Sequence, residues 1–176
     1  NADWVRLNAK QALKTHDNQE VAAAIIAWVE GLDRANADYE HHRLEALWAY
    51  QTIASEPAPD LVRQLLGSPD HRVRAAATRV LYHWRDSLDV LESAVDDPHP
   101  RVRREAVTAL GQVSSARAAK VALKVLDHPM DPFLDFALYR TCRLLERHWL
   151  PSLQRNELNF DGNADRLAFA LKAIEK

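Results

Sequence analysis

Apolar residues fall at offsets i, i+4, i+7, i+8 and i+11 in "PRVRREAVTALGQV", where Val102, Ala106, Ala109, Leu110 and Val113 form one stripe among charged neighbours. That spacing is the face of an amphipathic α-helix. The same text stands 29 residues earlier as Val73, Ala77, Val80, Leu81 and Trp84. Further copies read Val5, Ala9, Ala12, Leu13, His16; then His42, Ala46, Ala49, Tyr50, Ile53; then Leu134, Leu138, Thr141, Cys142, Leu145. A last copy holds Leu167, Leu171 and Ile174. The second stripe position recurs at 9, 46, 77, 106, 138 and 171, so the gaps are 37, 31, 29, 32 and 33 residues. A period near thirty predicts a repeat built from pairs of helices.

Each gap has room for one more amphipathic helix. "NQEVAAAIIAWVEGL", "APDLVRQLLGS", "DSLDVLESAVDD", "SARAAKVALKVLDH" and "HWLPSLQRNEL" occupy those slots. Gly31, Gly67 and Gly111 fall where helices should stop, in the left-handed C-terminal conformation that glycine accepts. Pro59, Pro100 and Pro132 suit first-turn positions, where a missing N–H costs nothing, and Asp70 and Asp131 suit N-caps. No stretch alternates apolar and polar residues as a strand would. The pattern predicts an all-α chain of about eleven helices, an α–α superhelix of about five pairs. Alanine at mid-stripe lets successive second helices approach closely and share one continuous core.

Composition fits a soluble helical chain: 47% hydrophobic, 27% charged and four glycines in 176 residues. No apolar run reaches the roughly 18–20 residues needed to span a bilayer, so this segment is not expected to insert into membrane. Net charge is −2, distributed as −5 over residues 1–60, +2 over 61–104 and +1 over 105–176. Such a balance lacks the footprint of a dedicated nucleic-acid binder. One cysteine, Cys142, excludes an internal disulfide and lies on a stripe, where a buried, inert thiol is expected.

Chemistry-bearing candidates are few. In "EHHRLE", His41 and Glu45 or His42 and Glu45 lie one turn apart and could begin a metal site, but no third or fourth ligand follows. The expectation is no metal, no cofactor and no catalytic residue, since nucleophile motifs, phosphate loops and paired carboxylates are missing too. Binding is the better use of what remains. Arginines make up 17 of the 23 basic residues, and Arg72, Arg74, Arg79, Arg101, Arg103 and Arg104 recur on successive second helices. Stacked, they would form a ridge favouring an acidic partner. Among five tryptophans, Trp84 lies on a core stripe, whereas Trp48 and Trp149 lie off it and are candidate interface anchors.

"SPDHRVRAAATRVL" and "DPHPRVRREAVTALG" resemble HEAT repeats: an Asp/Pro turn, Val-Arg at the helix entry, then an Ala–Leu stripe. The resemblance implies a HEAT-like, armadillo-type solenoid with second helices on the concave side. It also implies a ladder in which turn Asp97 pairs with Arg103, imperfect one copy earlier, where Ser68 replaces the aspartate. More narrowly, residues 41–171, with "LDHPMDPFLDFALYRTCRLLERHW", resemble a segment of large secreted bacterial proteins related to membrane-bound sugar dehydrogenases with a c-type cytochrome domain. That likeness implies a non-catalytic interaction or interdomain scaffold, with proteins or other domains of the same parent as partners, in a periplasmic or extracytoplasmic setting. A cytoplasmic setting is the alternative. The competing function is a HEAT-like nucleic-acid binder of the DNA glycosylase type. Asn1-Ala2 is read as an expression-tag remnant, and 3–176 as a single repeat domain excised from a larger chain.

Overall fold

A computed structural model describes residues 2–53, 58–83 and 87–175 of the protein. Helices are α1 (Ala2–Leu13), α2 (Asn18–Glu30), α3 (Tyr39–Ile53), α4 (Pro59–Leu66), α5 (His71–Val80), α6 (Leu88–Val95), α7 (Pro100–Leu110), α8 (Ala116–Leu123), α9 (Pro132–Leu144), α10 (Glu146–Gln154) and α11 (Ala164–Ile174). Short 3-10 turns, Leu81–His83 and Lys124–Asp127, extend α5 and α8. No strand occurs among the described residues. Two compact units divide the chain, Asn1–Ala77 and Thr78–Lys176.

Within the second unit the helices stack in two layers. The even-numbered helices α6, α8 and α10 pack in succession, and the odd-numbered α7, α9 and α11 do the same beside them. Pairs α6–α7 and α8–α9 also meet across the layers. This is the arrangement a helical-pair repeat produces, each unit covering the apolar face its neighbour leaves open. Val102, Ala106, Ala109, Leu110 and Val113 of the α7 stripe are all buried, as are Leu134, Leu138, Thr141, Cys142 and Leu145 of the α9 stripe. At the α7–α9 crossing the Thr141 hydroxyl donates to the Val107 carbonyl at 2.8 Å. In the first unit α3 contacts α1, α2 and α4, burying Leu44, Ala46 and Leu47.

Capping follows the sequence. Asp131 Oδ1 accepts the N–H groups of Phe133 and Leu134, and Asp70 Oδ1 accepts that of Arg72. Pro59, Pro100 and Pro132 each take the first helical position. The glycines behave otherwise. Gly31, Gly67 and Gly111 end their helices with φ of −83°, −86° and −60°, so none needs the left-handed region. At Gly111 the requirement is space: a Cβ would lie 3.3 Å from Thr141 Oγ1 and 3.4 Å from Leu144 Cδ1. The left-handed glycine is Gly162, with φ +70°, in the loop before α11.

Three stripes depart from the sequence reading. In α3 the buried residues are Arg43, Leu44, Ala46, Leu47 and Ile53, while His42, Ala49 and Tyr50 of the expected copy are only half-buried. In α1 the copy Val5–Ala9–Ala12 is exposed, with Trp4, Val5 and Leu7 all more than half open, because α1 packs against α3 alone by substantial contact. In α11 the register lies one residue earlier. Arg166, Ala170 and Ala173 are buried while Leu171 is 39% exposed, so the buried set keeps the i, i+4, i+7 spacing with an arginine at its head. Trp84 lies outside the described residues.

Ala106 is fully buried beneath its neighbours. Ala106→Leu must overpack that site, at roughly 1–3 kcal/mol, and a thermal melt should show a clearly lower Tm. An unchanged Tm would place the α7 stripe away from the core.

Candidate interaction groove

Helix α9 carries two stripes. One is the core stripe just described. The other, Phe133, Phe136, Ala137, Arg140 and Leu144, runs at offsets i, i+3, i+4, i+7 and i+11 and faces a groove of about 310 Å³. Arg104 and Thr108 of α7, with Gln112 just beyond its end, form the opposite wall, and Tyr82 of the 3-10 turn closes one side. Large apolar surface is left open here: Phe133 is 71% exposed, Phe136 59% and Leu144 50%. A helix that only completed a core would be polar on this face. The Arg140 guanidinium lies 5.9 Å from the Phe136 ring centroid, within cation–π range.

The cationic wall is held in place by a carboxylate. Glu105, one residue along α7, is 7% exposed, and its oxygens accept from Arg79 Nε (3.1 Å), Arg79 Nη2 (2.8 Å) and Arg104 Nη2 (2.8 Å). Burial pushes the Glu105 carboxyl up, but hydrogen bonds from Arg79 and Arg104 outweigh it and hold the group below the ordinary carboxylate range. Two guanidiniums on one carboxylate leave this trio with a surplus positive charge. Arg104 and Arg140 are the charged residues lining the groove, and no Asp or Glu lines it.

Three of the remaining four arginines of the expected ridge, Arg72, Arg74 and Arg103, serve the fold. Arg103 is 4% exposed, and its Nη1 donates to the carbonyls of Asp97 (2.8 Å) and Pro98 (3.1 Å). Arg74 repeats this with the carbonyls of Ser68 (2.8 Å) and Pro69 (3.2 Å). The expected Asp97–Arg103 ladder therefore reaches backbone carbonyls, which explains why serine at position 68 leaves it intact. Arg103 extends it to the Pro129 carbonyl of the following turn, and Arg43 makes the related contact with Glu40 and Gln64. Arg72 folds back on Asp70, its own cap. Arg101 is exposed at the start of α7.

Trp149 is not the surface anchor the sequence suggested. Trp149 is fully buried, its indole N–H donating to the Cys142 carbonyl at 2.9 Å and its ring edge-on to Phe160. Trp48 is half-buried in the first unit, with Lys10 Nζ 5.2 Å from its ring centroid. Among the described residues of the second unit the open aromatics are Phe133, Phe136 and Tyr82. Their signal was present in "PFLDFAL", where two phenylalanines stand off the core stripe, but one-stripe alignment discards such residues.

The His41/His42/Glu45 group is an ion-pair cluster. Glu45 takes Lys10 at 2.9 Å and Arg6 at 3.6 Å, with His41 3.8 Å away. Among the described residues no group of three or more His, Cys, Asp or Glu could hold a metal ion. Cys142 is buried, and desolvation pushes its thiol up to about 12, so it carries no nucleophilic thiolate at neutral pH.

Residues 58–140 match the HEAT repeat family. This stretch is a HEAT-like repeat segment. The match covers α4 to α9 up to Arg140, so most of the groove lining lies within HEAT-like text, including four of the five residues of the open α9 stripe. The helical-pair packing of α6–α9 is the HEAT-like arrangement, and the all-α fold class read from periodicity holds. A search of curated proteins finds no match. Among the described residues no helix is long and apolar enough to cross a membrane.

Because its folded pKa lies below its unfolded one, Glu105 stabilises the protein above the ordinary glutamate range and loses that contribution as pH falls through the folded value. Glu105→Gln should cost roughly 1 kcal/mol at pH 7, discounted for the exposure of Arg79. The Tm gap to the parent should close as pH falls below the ordinary glutamate range and through the lower folded value. Parallel Tm–pH curves would contradict this role.

Proposed function

We propose that the chain is a protein-interaction module without chemistry of its own, binding a segment of a partner in the groove between α7 and α9. One observation carries the reading. Helix α9 completes the core with one stripe and leaves a second, phenylalanine-bearing stripe open beside arginines, as interface patches do. The polar side chains support binding over catalysis, because they are engaged with one another. Glu92 takes Lys124 and Arg117, Arg166 takes Asp127 and Asp161, and Glu105 takes Arg79 and Arg104. HEAT-like segments commonly serve as scaffolds, which suits this reading. The resemblance of "HPMDPFLDFAL" to exported bacterial redox proteins adds a finer proposal. There the module would dock partner domains of a larger extracytoplasmic chain.

A photo-cross-linking amino acid at Phe136, incorporated in the native host, tests the reading. The same probe at Arg155, beyond α10, is the control. The expected outcome is a discrete protein adduct from position 136 and none from position 155, abolished by Phe133→Ser with the Tm little changed. Equal labelling from both positions, or no adduct from 136, would refute the module. Salt-sensitive duplex-DNA binding that tightens at low salt would favour the nucleic-acid alternative instead.

A further inference from the structure

We infer that the groove takes an acidic peptide segment anchored by apolar side chains, an inference that rests on the binding reading above. The lining decides the chemistry. Phe133, Phe136, Leu144 and Tyr82 offer an apolar floor, and a volume of about 310 Å³ suits one or two large side chains. Arg104 of α7 and Arg140 of α9 both line it, and no carboxylate does. An apolar segment without acids would partly desolvate both guanidiniums, leaving Arg104 with Glu105 alone and no carboxylate of the lining beside Arg140, which costs free energy; carboxylates flanking the anchor offset it. Glu105 fits the same design. It already accepts from Arg104 and fixes that side chain, so less conformational entropy is lost when a ligand carboxylate arrives.

A nucleic-acid strand fits less well. Its backbone needs a track of cations, and the groove supplies two, one of them shared with Glu105. Beside Arg104, the wall opposite α9 offers Thr108 and Gln112, which hydrogen-bond peptide groups without adding charge.

Fluorescence anisotropy on the full chain tests this. The probe is a fluorescein-labelled twelve-residue peptide with one Phe and two Leu among five Glu. Controls replace every Glu by Gln, or the Phe and Leu by Ser; a labelled single-stranded DNA twelve-mer is the fourth ligand. Arg104→Ala, Arg140→Ala and Phe133→Ser are compared with the parent, with melts verifying that each folds. The acidic, apolar peptide should bind, and each control peptide and each variant should weaken it about tenfold or more. Its affinity should fall only gently with salt, as two charge contacts require. Equal binding of the Gln peptide, indifference to both arginine variants, or no binding of the acidic peptide at millimolar concentration would overturn the inference. So would tighter binding of the DNA. A dimer seen by sedimentation and dissolved by Phe133→Ser would assign the groove to a second copy, and would overturn it too. A partner cross-linked from position 136 through a segment lacking Asp and Glu would leave the interaction module standing and reject only the acidic ligand.

Discussion

The second unit depends on how closely α7 and α9 approach. Gly111 presents no side chain where it meets Thr141 and Leu144, and the Thr141 hydroxyl reaches the Val107 carbonyl across the crossing. A hydroxyl can bond a helical carbonyl only where the axes are near, so this contact marks the spacing. Close axes bury the Ala–Leu stripe, and they bring Arg104 and Arg140 to one groove. Core and candidate site thus follow from one geometric condition. Were the crossing wider, the stripe would lose packing contacts and the groove would open into flat surface.

Turns between the layers are fixed by arginine in a way that sequence disguises. Arg74 and Arg103 stand at the same place in consecutive copies and bond the carbonyls six and five residues upstream. Backbone carbonyls exist whatever the side chain, so the contact tolerates Asp97 or Ser68. A guanidinium serves here because its planar fork can satisfy two carbonyls at once. These arginines are spent on the fold, and the cations facing the groove are others.

Periodicity made most of the fold legible. Stripe spacing located nine further helices around α7 and α9, and cap chemistry located their starts, because both depend on local rules. It failed where tertiary packing decides. The apolar residues of α1 are open since few neighbours cover them, although their spacing matches that of α7. In α11 a buried arginine takes the place an aliphatic residue holds elsewhere, anchored by Asp127 and Asp161, and pattern matching moved to the nearest leucine. For the site, sequence reasoning found Arg104 and the idea of cationic character, but it looked for anchors among the tryptophans alone. Trp149 is consumed by the core and its Cys142 hydrogen bond, whereas Phe133 and Phe136 sit where α9 turns its second face outward. Which off-stripe aromatic stays open depends on the neighbouring helix, and that information is not local.

Native-state hydrogen exchange across a denaturant series tests the tight α7–α9 crossing most directly. If the crossing is the structural keystone, the core amides of α7 and α9 should be the slowest in the chain and should merge into a single opening reaction, while those of α1 exchange much faster. Amides of α9 that open independently of α7, at rates like those of α1, would contradict it.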